Sequence, residues 1–366
     1  MKVLVLSPFI PRENTGGSGL KLLFTLSCLK ILYSNITLIT YYTDKKDLFY
    51  LKQFSVKNKI VIKAQKKDTR FSLNNIHYIN RFFSKKIKRF LCDNQNNYDF
   101  IYIDSMFFSL FKKYIKKPFI VDFHNFHTDL LFNHIKNTIN PLKKAFIYYQ
   151  YLITKNFEKN LIGDCNVKKV ITGEIPLKYQ GFIKNYFKLI PFSIVNDFKI
   201  RNLQKESNFN LLFTGNFNWL PNIQALKIIK EMAFLNLNLK FNIVGKNIPE
   251  DLYPDNIFIW NNPSNTEVFF KKFNVFFSPI ENGSGINIKI LQALKHNNIV
   301  IAHKNTLIRM PFLEGYILTY SNNVELQEIF DNFDNIENTS FKKLQTLINY
   351  MEDNKNQYIE FIVKKN

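Results

Sequence analysis

The sequence is poor in residues that build disulfide frameworks or metal sites. Its three cysteines, Cys28, Cys92 and Cys165, are odd in number and widely spaced, and no C-x-x-C pair occurs. Cysteines with this spacing usually behave as small, buried apolar residues in a protein of a reducing compartment. The six histidines form no H-E-x-x-H motif. We therefore expect buried, reduced cysteines, no metal and no cofactor.

The sequence also lacks an apolar run of the roughly 18 residues that a membrane-spanning helix requires. Residues 3–6 are apolar, but Pro8, Pro11, Arg12 and Glu13 follow where a signal peptide has small residues at its cleavage site. The segment fits better as a first, buried parallel strand. We expect a cytoplasmic protein.

Several catalytic and nucleotide-binding motifs are absent. The chain has no G-x-x-x-x-G-K-[ST] and no G-x-S-x-G, which excludes a P-loop and gives no support to a nucleophile elbow. Gly16, Gly17 and Gly19 match a dinucleotide fingerprint only in part, and Asp44 lies beyond the next predicted strand, so a dehydrogenase is weakly supported. The lack of a D-x-D pair argues against a transferase that holds a nucleotide sugar through a divalent cation.

Acidic residues are scarce in the first half of the chain. Residues 1–200 contain 33 Lys and Arg against 13 Asp and Glu, a net charge of +20, whereas residues 201–366 carry +1. Solvated helix lysines would explain any one of these charges. An imbalance confined to one half favours a functional surface, for an anionic membrane or for nucleic acid. At its centre, phenylalanines are interleaved with basic residues: Arg81, Phe82, Phe83, Lys85, Lys86, Lys88, Arg89 and Phe90.

Short apolar runs alternate with helical segments along the chain. They predict strands at residues 2–6, 36–41, 60–63, 99–103, 119–122, 169–172 and 188–191, and helices at 19–32, 105–115 and 128–160. The pattern restarts with strands at 210–214, 240–244, 256–260, 274–278 and 299–302, and helices at 222–232, 286–296 and from about 324. Because the strands are continuously apolar, we expect parallel sheets covered on both faces.

This pattern predicts an α/β protein with two doubly wound Rossmann-like domains facing across a cleft. We assign residues 1–198 to a basic N-terminal domain, 199–345 to a C-terminal domain, and 346–366 to a last helix that we expect to return to the first domain. Ligands of such sheets bind beyond the carboxyl ends of the strands. Glycines follow several predicted strand ends, namely Gly16, Gly17, Gly215, Gly245, Gly283 and Gly285.

The segment after residue 278 is the most informative local motif. Gly283, Ser284 and Gly285 open a predicted helix, and Lys289 follows one turn later. A helix N-terminus offers free N–H groups to an anion such as phosphate, and the lysine could reach the same anion. The alternative is a tight turn that needs glycines for its geometry. Ser284 and Asn287 stand where helix caps are common, so they are candidates as caps or as ligands.

Four segments, in order, resemble the group 1 nucleotide-sugar glycosyltransferases, which have the two-domain GT-B fold. S-P-F-I-P at 7–11 with the glycines at 16–17 resembles their first strand and glycine loop, and D-F-H-N at 122–125 resembles a strand ending in a histidine that faces the cleft. F-T-G-N-F at 213–217 resembles the start of their second domain. G-S-G at 283–285 with K-I-L-Q-A at 289–293 resembles their nucleotide-binding element, G-S-G-x-x-x-K-x-L-E-A.

The resemblance implies that the second domain binds a nucleotide diphosphate sugar and that the first binds the acceptor, a surface glycan such as lipopolysaccharide or capsule at the inner membrane face. It implies transfer with retention at the anomeric carbon and without a metal. It assigns catalysis to His124, with His127 as an alternative, and to Lys289. Donor contacts fall to Gly16, Gly17, Gly215, Asn216, Gly245, Gly283, Ser284, Gly285, Asn287 and Gln292.

Two positions depart from the family pattern. Asn216 replaces a common basic residue, and Gln292 replaces the Glu expected to hold the ribose hydroxyls, so a charge-assisted hydrogen bond is lost. The identity of the donor and the level of activity therefore stay open. So do two other functions: a different sugar-nucleotide enzyme of this fold, such as a 2-epimerase, and a basic nucleic-acid-binding protein without enzymatic activity.

Overall fold

The structure, a computed structural model, describes residues 2–11, 17–42, 48–49, 51, 58–63, 82–172, 175–190, 210–281, 286–332 and 340–364. The chain divides into two compact units. Unit 1 is Met1–Ser193 together with Asn354–Asn366, and unit 2 is Ile194–Asp353. The domain boundary predicted at 198–199 lies outside the described residues.

The described part of unit 1 contains a seven-stranded parallel sheet. Its strands are β1 (Lys2–Ser7), β2 (Asn35–Tyr42), β3 (Asn58–Lys63), β4 (Phe100–Asp104), β5 (Phe119–Phe123), β6 (Lys168–Ile171) and β7 (Tyr186–Lys188). They lie in the order β3-β2-β1-β4-β5-β6-β7. The order reverses between β1 and β4, and such a switch point is where open α/β sheets bind ligands.

Helices connect these strands. They are α1 (Gly17–Leu32), α2 (Lys85–Asn94), α3 (His127–Lys136), α4 (Pro141–Gly163) and α5 (Leu177–Gln180), with a 3-10 helix at Met106–Tyr114. Residues 3–7 of β1 and all of β4 are buried. This burial explains why both buried stretches are apolar up to their last residue, Ser7 in β1 and Asp104 in β4.

The described part of unit 2 repeats the architecture with six parallel strands. They are β8 (Asn210–Asn216), β9 (Lys240–Lys246), β10 (Ile257–Asn261), β11 (Val275–Ser278), β12 (Ile299–His303) and β13 (Leu318–Tyr320), in the order β10-β9-β8-β11-β12-β13. The helices are α6 (Leu220–Leu235), α7 (Glu267–Lys272), α8 (Ile288–Lys295), α9 (Asn305–Arg309), α10 (Asn323–Asp331) and α11 (Ser340–Val363). The switch point here lies between β8 and β11.

The helix predicted at 128–160 is two helices, so that prediction was wrong. Asn140 caps α4 by accepting a hydrogen bond from the Lys143 N–H at 3.0 Å, and Pro141 occupies the first turn. Asn140 has the extended backbone that a residue before proline prefers, so the two residues together set the start of α4. The helix predicted at 105–115 is the tighter 3-10 form.

Two further expectations need correction. Phe82, Phe83 and Phe90 do not form an aromatic surface among the basic residues, because all three pack against the core of unit 1. Of the cysteines, Cys28 is buried as expected, whereas Cys92 and Cys165 are exposed.

The second half of α11 belongs to unit 1. The Asn354 side chain accepts a hydrogen bond from the Ile190 N–H at 2.9 Å and donates one to the Lys188 carbonyl at 3.1 Å. Four residues later, the buried Tyr358 hydroxyl lies 2.8 Å from that of Tyr102 in β4. Among the described residues, no helix has the length and apolarity to cross a bilayer.

Candidate functional site

Two carboxylates lie side by side at the switch-point edge of unit 1. Asp104 ends β4, Asp122 is its neighbour in β5, and His124 follows directly after β5. Both carboxylates are fully buried, whereas the His124 side chain keeps 10% of its exposure. The carboxyl ends of parallel strands thus bring a histidine and two acids to one edge.

Asp104 orients the His124 ring. His124 Nε2 lies 2.9 Å from Asp104 Oδ1, Ser7 donates its hydroxyl to Oδ2 at 2.6 Å, and Phe9 stacks on the imidazole at 5.4 Å between centroids. Burial by itself would raise the pKa of Asp104, but the charge and hydrogen bond of His124, with Lys21 and Ser7, lower it below its ordinary value. Because Asp104 is therefore ionised, Nε2 carries the proton that it accepts. Nδ1 is left as the ring nitrogen that can face a ligand.

Asp122 is held by a buried lysine. Lys21 of α1 is 2% exposed and forms an ion pair with Asp122 Oδ2, which also accepts a hydrogen bond from the Tyr102 hydroxyl at 2.6 Å. Asp122 Oδ1 has no hydrogen-bond partner in the described part of the chain and lies 3.9 Å from His124 Nε2. A second carboxylate oxygen thus faces the same imidazole.

The residue after Asp104 is strained. Ser105 has φ 106°, a conformation that costs a non-glycine residue about 1–3 kcal/mol and is concentrated at functional sites. In addition, Asp104, Asp122 and His124 place one ligand atom each within 4.8 Å of one another, a spacing that could hold a metal. Lys21 already supplies a positive charge there, so the arrangement favours an ion-paired state over a bound cation.

In unit 2, the ends of β8 and β9 approach closely at two glycines. A Cβ on Gly245 would lie 1.8 Å from the carbonyl oxygen of Gly215, and a Cβ on Gly215 would lie 2.9 Å from the Asn222 side chain. Asn222, buried at the start of α6, donates to the Asn216 carbonyl at 2.7 Å. Both glycines that we assigned to donor binding therefore also have a packing role.

Lys289 is held against this edge. Its Nζ donates to Asn222 Oδ1 at 3.0 Å and lies 5.2 Å from the centroid of the Phe213 ring. The residue as a whole keeps partial exposure, but its ammonium is enclosed by protein atoms, and this burial lowers the pKa of Lys289 to about 7. A bound anion would stabilise the charged form of this amine, so the position favours binding of an anion.

Asn287 does not cap α8 with its side chain. It donates instead to the buried Ser278 hydroxyl at 3.1 Å, tying the start of α8 to the end of β11. Arg309 of α9 donates to the carbonyls of Ile280 and Glu281 at 3.3 Å each. A second cation therefore lies beside the chain that leads into residues 282–285.

The remaining predicted site residues are distributed as follows. Gln292 is half-buried on α8, one turn from Lys289, and Asn216 is exposed with its side chain accepting from Asn247 Nδ2 at 3.2 Å. His127 begins α3, with its ring 4.5 Å from that of Phe107. Gly17 is the first residue of α1. Gly16, Gly283, Ser284 and Gly285 lie outside the described residues.

Sequence reasoning missed Asp104, Lys21 and Asn222. Asp104 had a usable signal, since it directly follows a predicted strand whose neighbour ends at Asp122. Lys21 had none, because it bonds a residue 101 positions away and sits in a helix where a lysine is ordinarily solvated. Asn222 was given no role from the sequence, and its bond to Lys289 now supplies one.

No protein-family model matches the sequence, and no curated protein is significantly similar to it. Solved structures do match. Sucrose-phosphate synthase from Thermosynechococcus elongatus is 13% identical, with 99% of this chain and 98% of that chain covered and a TM-score of 0.69. HepE from Anabaena, solved with UDP and glucose, is 11% identical, with 99% of both chains covered and a TM-score of 0.66. WaaG, a glycosyltransferase of lipopolysaccharide biosynthesis, is 10% identical, with 99% and 100% covered and a TM-score of 0.63.

These likenesses extend over nearly all of each chain, and the two parallel sheets of seven and six strands account for them. At such low identity they concern the fold alone. The doubly wound α/β architecture that the strand pattern predicts and the GT-B fold that the resemblance implies are both confirmed.

Proposed function

We propose that this chain is a glycosyltransferase that moves a sugar from a nucleotide diphosphate donor to a surface-glycan acceptor such as lipopolysaccharide or capsule. The observation that carries the proposal is Lys289, an enclosed amine held by Asn222 at the switch-point edge of unit 2. The fold supports it, and so do the fold neighbours, one solved with UDP and glucose and another acting in lipopolysaccharide biosynthesis.

In this proposal unit 2 binds the donor. The diphosphate lies at the N-terminus of α8, where free N–H groups and Lys289 neutralise the charge that develops as the nucleoside diphosphate leaves. No metal is then needed, and the sugar is transferred with retention at the anomeric carbon. The donor contacts come from Gly215, Asn216, Gly245, Asn287 and Gln292, together with Gly16, Gly17, Gly283, Ser284 and Gly285.

His124 acts on the acceptor side. With Nε2 bound to Asp104, the ring presents Nδ1 in a fixed orientation to the reacting sugar or to the acceptor hydroxyl. The basic unit 1 would meet the anionic inner face of the membrane, where a lipid-linked acceptor is found.

Calorimetric titration with UDP and GDP tests the donor site. The parent should bind one of them, and Lys289→Ala should bind it about 10- to 150-fold more weakly, since a charge-assisted hydrogen bond contributes about 1.5–3 kcal/mol. Lys295→Ala, which removes a lysine from the last turn of the same helix, should bind like the parent. Equal binding by all three proteins would refute the role of Lys289.

Turnover tests the acceptor side. His124→Ala and Asp104→Asn should lower kcat for transfer while leaving UDP affinity unchanged, because in this proposal both residues act at the reacting sugar or the acceptor hydroxyl and not at the diphosphate. A rise in donor KM with unchanged kcat would place His124 in donor binding instead.

A 2-epimerase of the same fold is the second candidate, and the Asp104–His124 pair favours it because epimerisation needs acid–base groups at the sugar. Incubation with a nucleotide sugar and no acceptor separates the two. An epimerase changes the configuration of the sugar, which nuclear magnetic resonance detects, whereas a transferase leaves it unchanged.

A further inference from the structure

The helical hairpin formed by α3 and α4 exposes large apolar side chains. Phe132 of α3 is 45% exposed, Ile139 in the connecting turn is 98% exposed, and Leu142, Tyr148 and Leu152 of α4 are 82%, 52% and 45% exposed. Single exposed apolar residues are common on protein surfaces. Several on one hairpin instead mark a surface that contacts another apolar phase.

The helical spacing of α4 separates this surface from the core. Its buried positions include Ile147, Gln150, Thr154, Glu158 and Leu161. The opposite face, at spacings of three and four residues, should be polar in a helix that only covers a sheet. It consists of Ala145, Tyr148, Leu152, Lys155 and Lys159, all of them exposed.

The charge of the hairpin is mostly positive. Between residues 127 and 163 the sequence contains five lysines and two acids, Asp129 and Glu158. Asp129 forms an ion pair with Lys178, with 2.6 Å between Nζ and Oδ1. Glu158 is buried, and its carboxylate accepts hydrogen bonds from the Thr128 and Tyr179 hydroxyls at 2.7 and 2.9 Å. All five lysines are exposed, and Lys136 Nζ lies 4.7 Å from the centroid of the Phe132 ring. Exposed lysines interleaved with apolar side chains complement an anionic lipid surface.

The basic helix α2 is different. Lys85, Lys86, Lys88 and Arg89 are exposed there, but the aromatic residues near them pack on the core. This helix can add electrostatic attraction, whereas the hairpin offers both charge and apolar side chains that can enter the acyl boundary.

The hairpin also starts beside the candidate site. α3 begins three residues after His124, at the carboxyl edge of the sheet, and its ten residues extend about 15 Å to the exposed turn. A surface docked at that turn would therefore lie within about 15 Å of the edge that bears His124.

We propose that the α3–α4 hairpin docks this protein on the surface of an anionic phospholipid bilayer. Its apolar side chains enter the boundary between headgroups and acyl chains, and its lysines contact the lipid phosphates. The inference rests on the membrane association proposed above and names the element responsible for it. It does not depend on sugar transfer.

Vesicle co-sedimentation of the full chain tests the proposal, with phosphatidylcholine vesicles compared with vesicles that also contain phosphatidylglycerol. The parent should bind the anionic vesicles and dissociate as salt is raised. K143Q/K144Q should weaken binding about fivefold for each lysine removed. L142S/L152S should weaken it tenfold or more, since two leucine side chains no longer enter the acyl boundary of the bilayer.

The control F234S/L235S removes two apolar residues of unit 2 that are 74% and 66% exposed, and it should bind like the parent. If the parent binds neither kind of vesicle, the membrane association itself is wrong. If the parent binds anionic vesicles and both hairpin variants bind them equally well, the protein associates with membranes but not through the hairpin. If the variants instead lower self-association in sedimentation velocity and leave vesicle binding intact, the surface is an interface between copies of this chain.

Discussion

At the scale of single residues, the ammonium of Lys289 bonds an amide oxygen and faces an aromatic ring. Burial lowers its pKa to about 7, below its usual value of about 10.4. Between these two values the unfolded chain binds more protons than the folded one, so this residue makes stability rise with pH. The loss of folding stability caused by burying the Lys289 ammonium is complete below pH 7 and disappears above about pH 10.

Lys289→Met should remove that dependence. The variant should gain stability relative to the parent at pH 6.5, and the gain should shrink steadily towards pH 9.5. Urea unfolding at three pH values measures it, and the difference between variant and parent cancels the titration of other groups. Parallel curves for the two proteins would show that Lys289 is not a buried amine.

At the scale of elements, β8 and β9 depend on the contact between Gly215 and Gly245. Gly245→Ala should destabilise unit 2 by about 3 kcal/mol or more, because the added methyl group would meet backbone that cannot move without disturbing the sheet. Gly163→Ala is the matched control, since a Cβ there would meet nothing within 4 Å. Thermal unfolding of both variants measures the effect. Similar melting temperatures for the two variants would mean that β8 and β9 can move apart with little loss of stability.

Most strands could be predicted from sequence to within about two residues, because strands buried on both faces are continuous apolar runs. The shorter elements β13, α7 and α9 were missed, since three to six residues carry too little periodicity. The break between α3 and α4 was readable from Asn140 and Pro141. The aromatic-rich sequence on both sides of these two residues nevertheless favours one continuous helix.

The site was predictable only where local sequence determines it. Lys289 follows a glycine loop, and His124 follows a strand, so both positions could be read locally. The partners of these residues come from distant segments: Asn222 lies 67 positions from Lys289, and Lys21 lies 101 positions from Asp122. Such pairs arise from the sheet order, which single-sequence periodicity does not specify.

At the scale of the whole molecule, α11 completes unit 1 from a distant part of the chain. The Tyr102 hydroxyl donates to Asp122, so Tyr358 donates to Tyr102 in turn, in a fully buried network. Tyr358→Phe should destabilise unit 1 by about 1 kcal/mol through loss of that hydrogen bond. Tyr350→Phe, on the same helix but 51% exposed, is the control and should have no measurable effect. Urea unfolding, followed by hydrogen exchange to locate the change, should show lost protection in β4 and β5; loss confined to unit 2 would contradict the assignment.

The bond between Tyr102 and Tyr358 joins residues 256 positions apart, with all of unit 2 encoded between them. During synthesis the strands of unit 1 leave the ribosome before unit 2 does, yet Tyr102 can pair with Tyr358 only after unit 2 has been translated. Unit 2, which is continuous in sequence, can complete its sheet before that helix emerges. The strands of unit 1 are thus translated before unit 2, yet their sheet gains its last buried hydrogen bond only after unit 2 has been made.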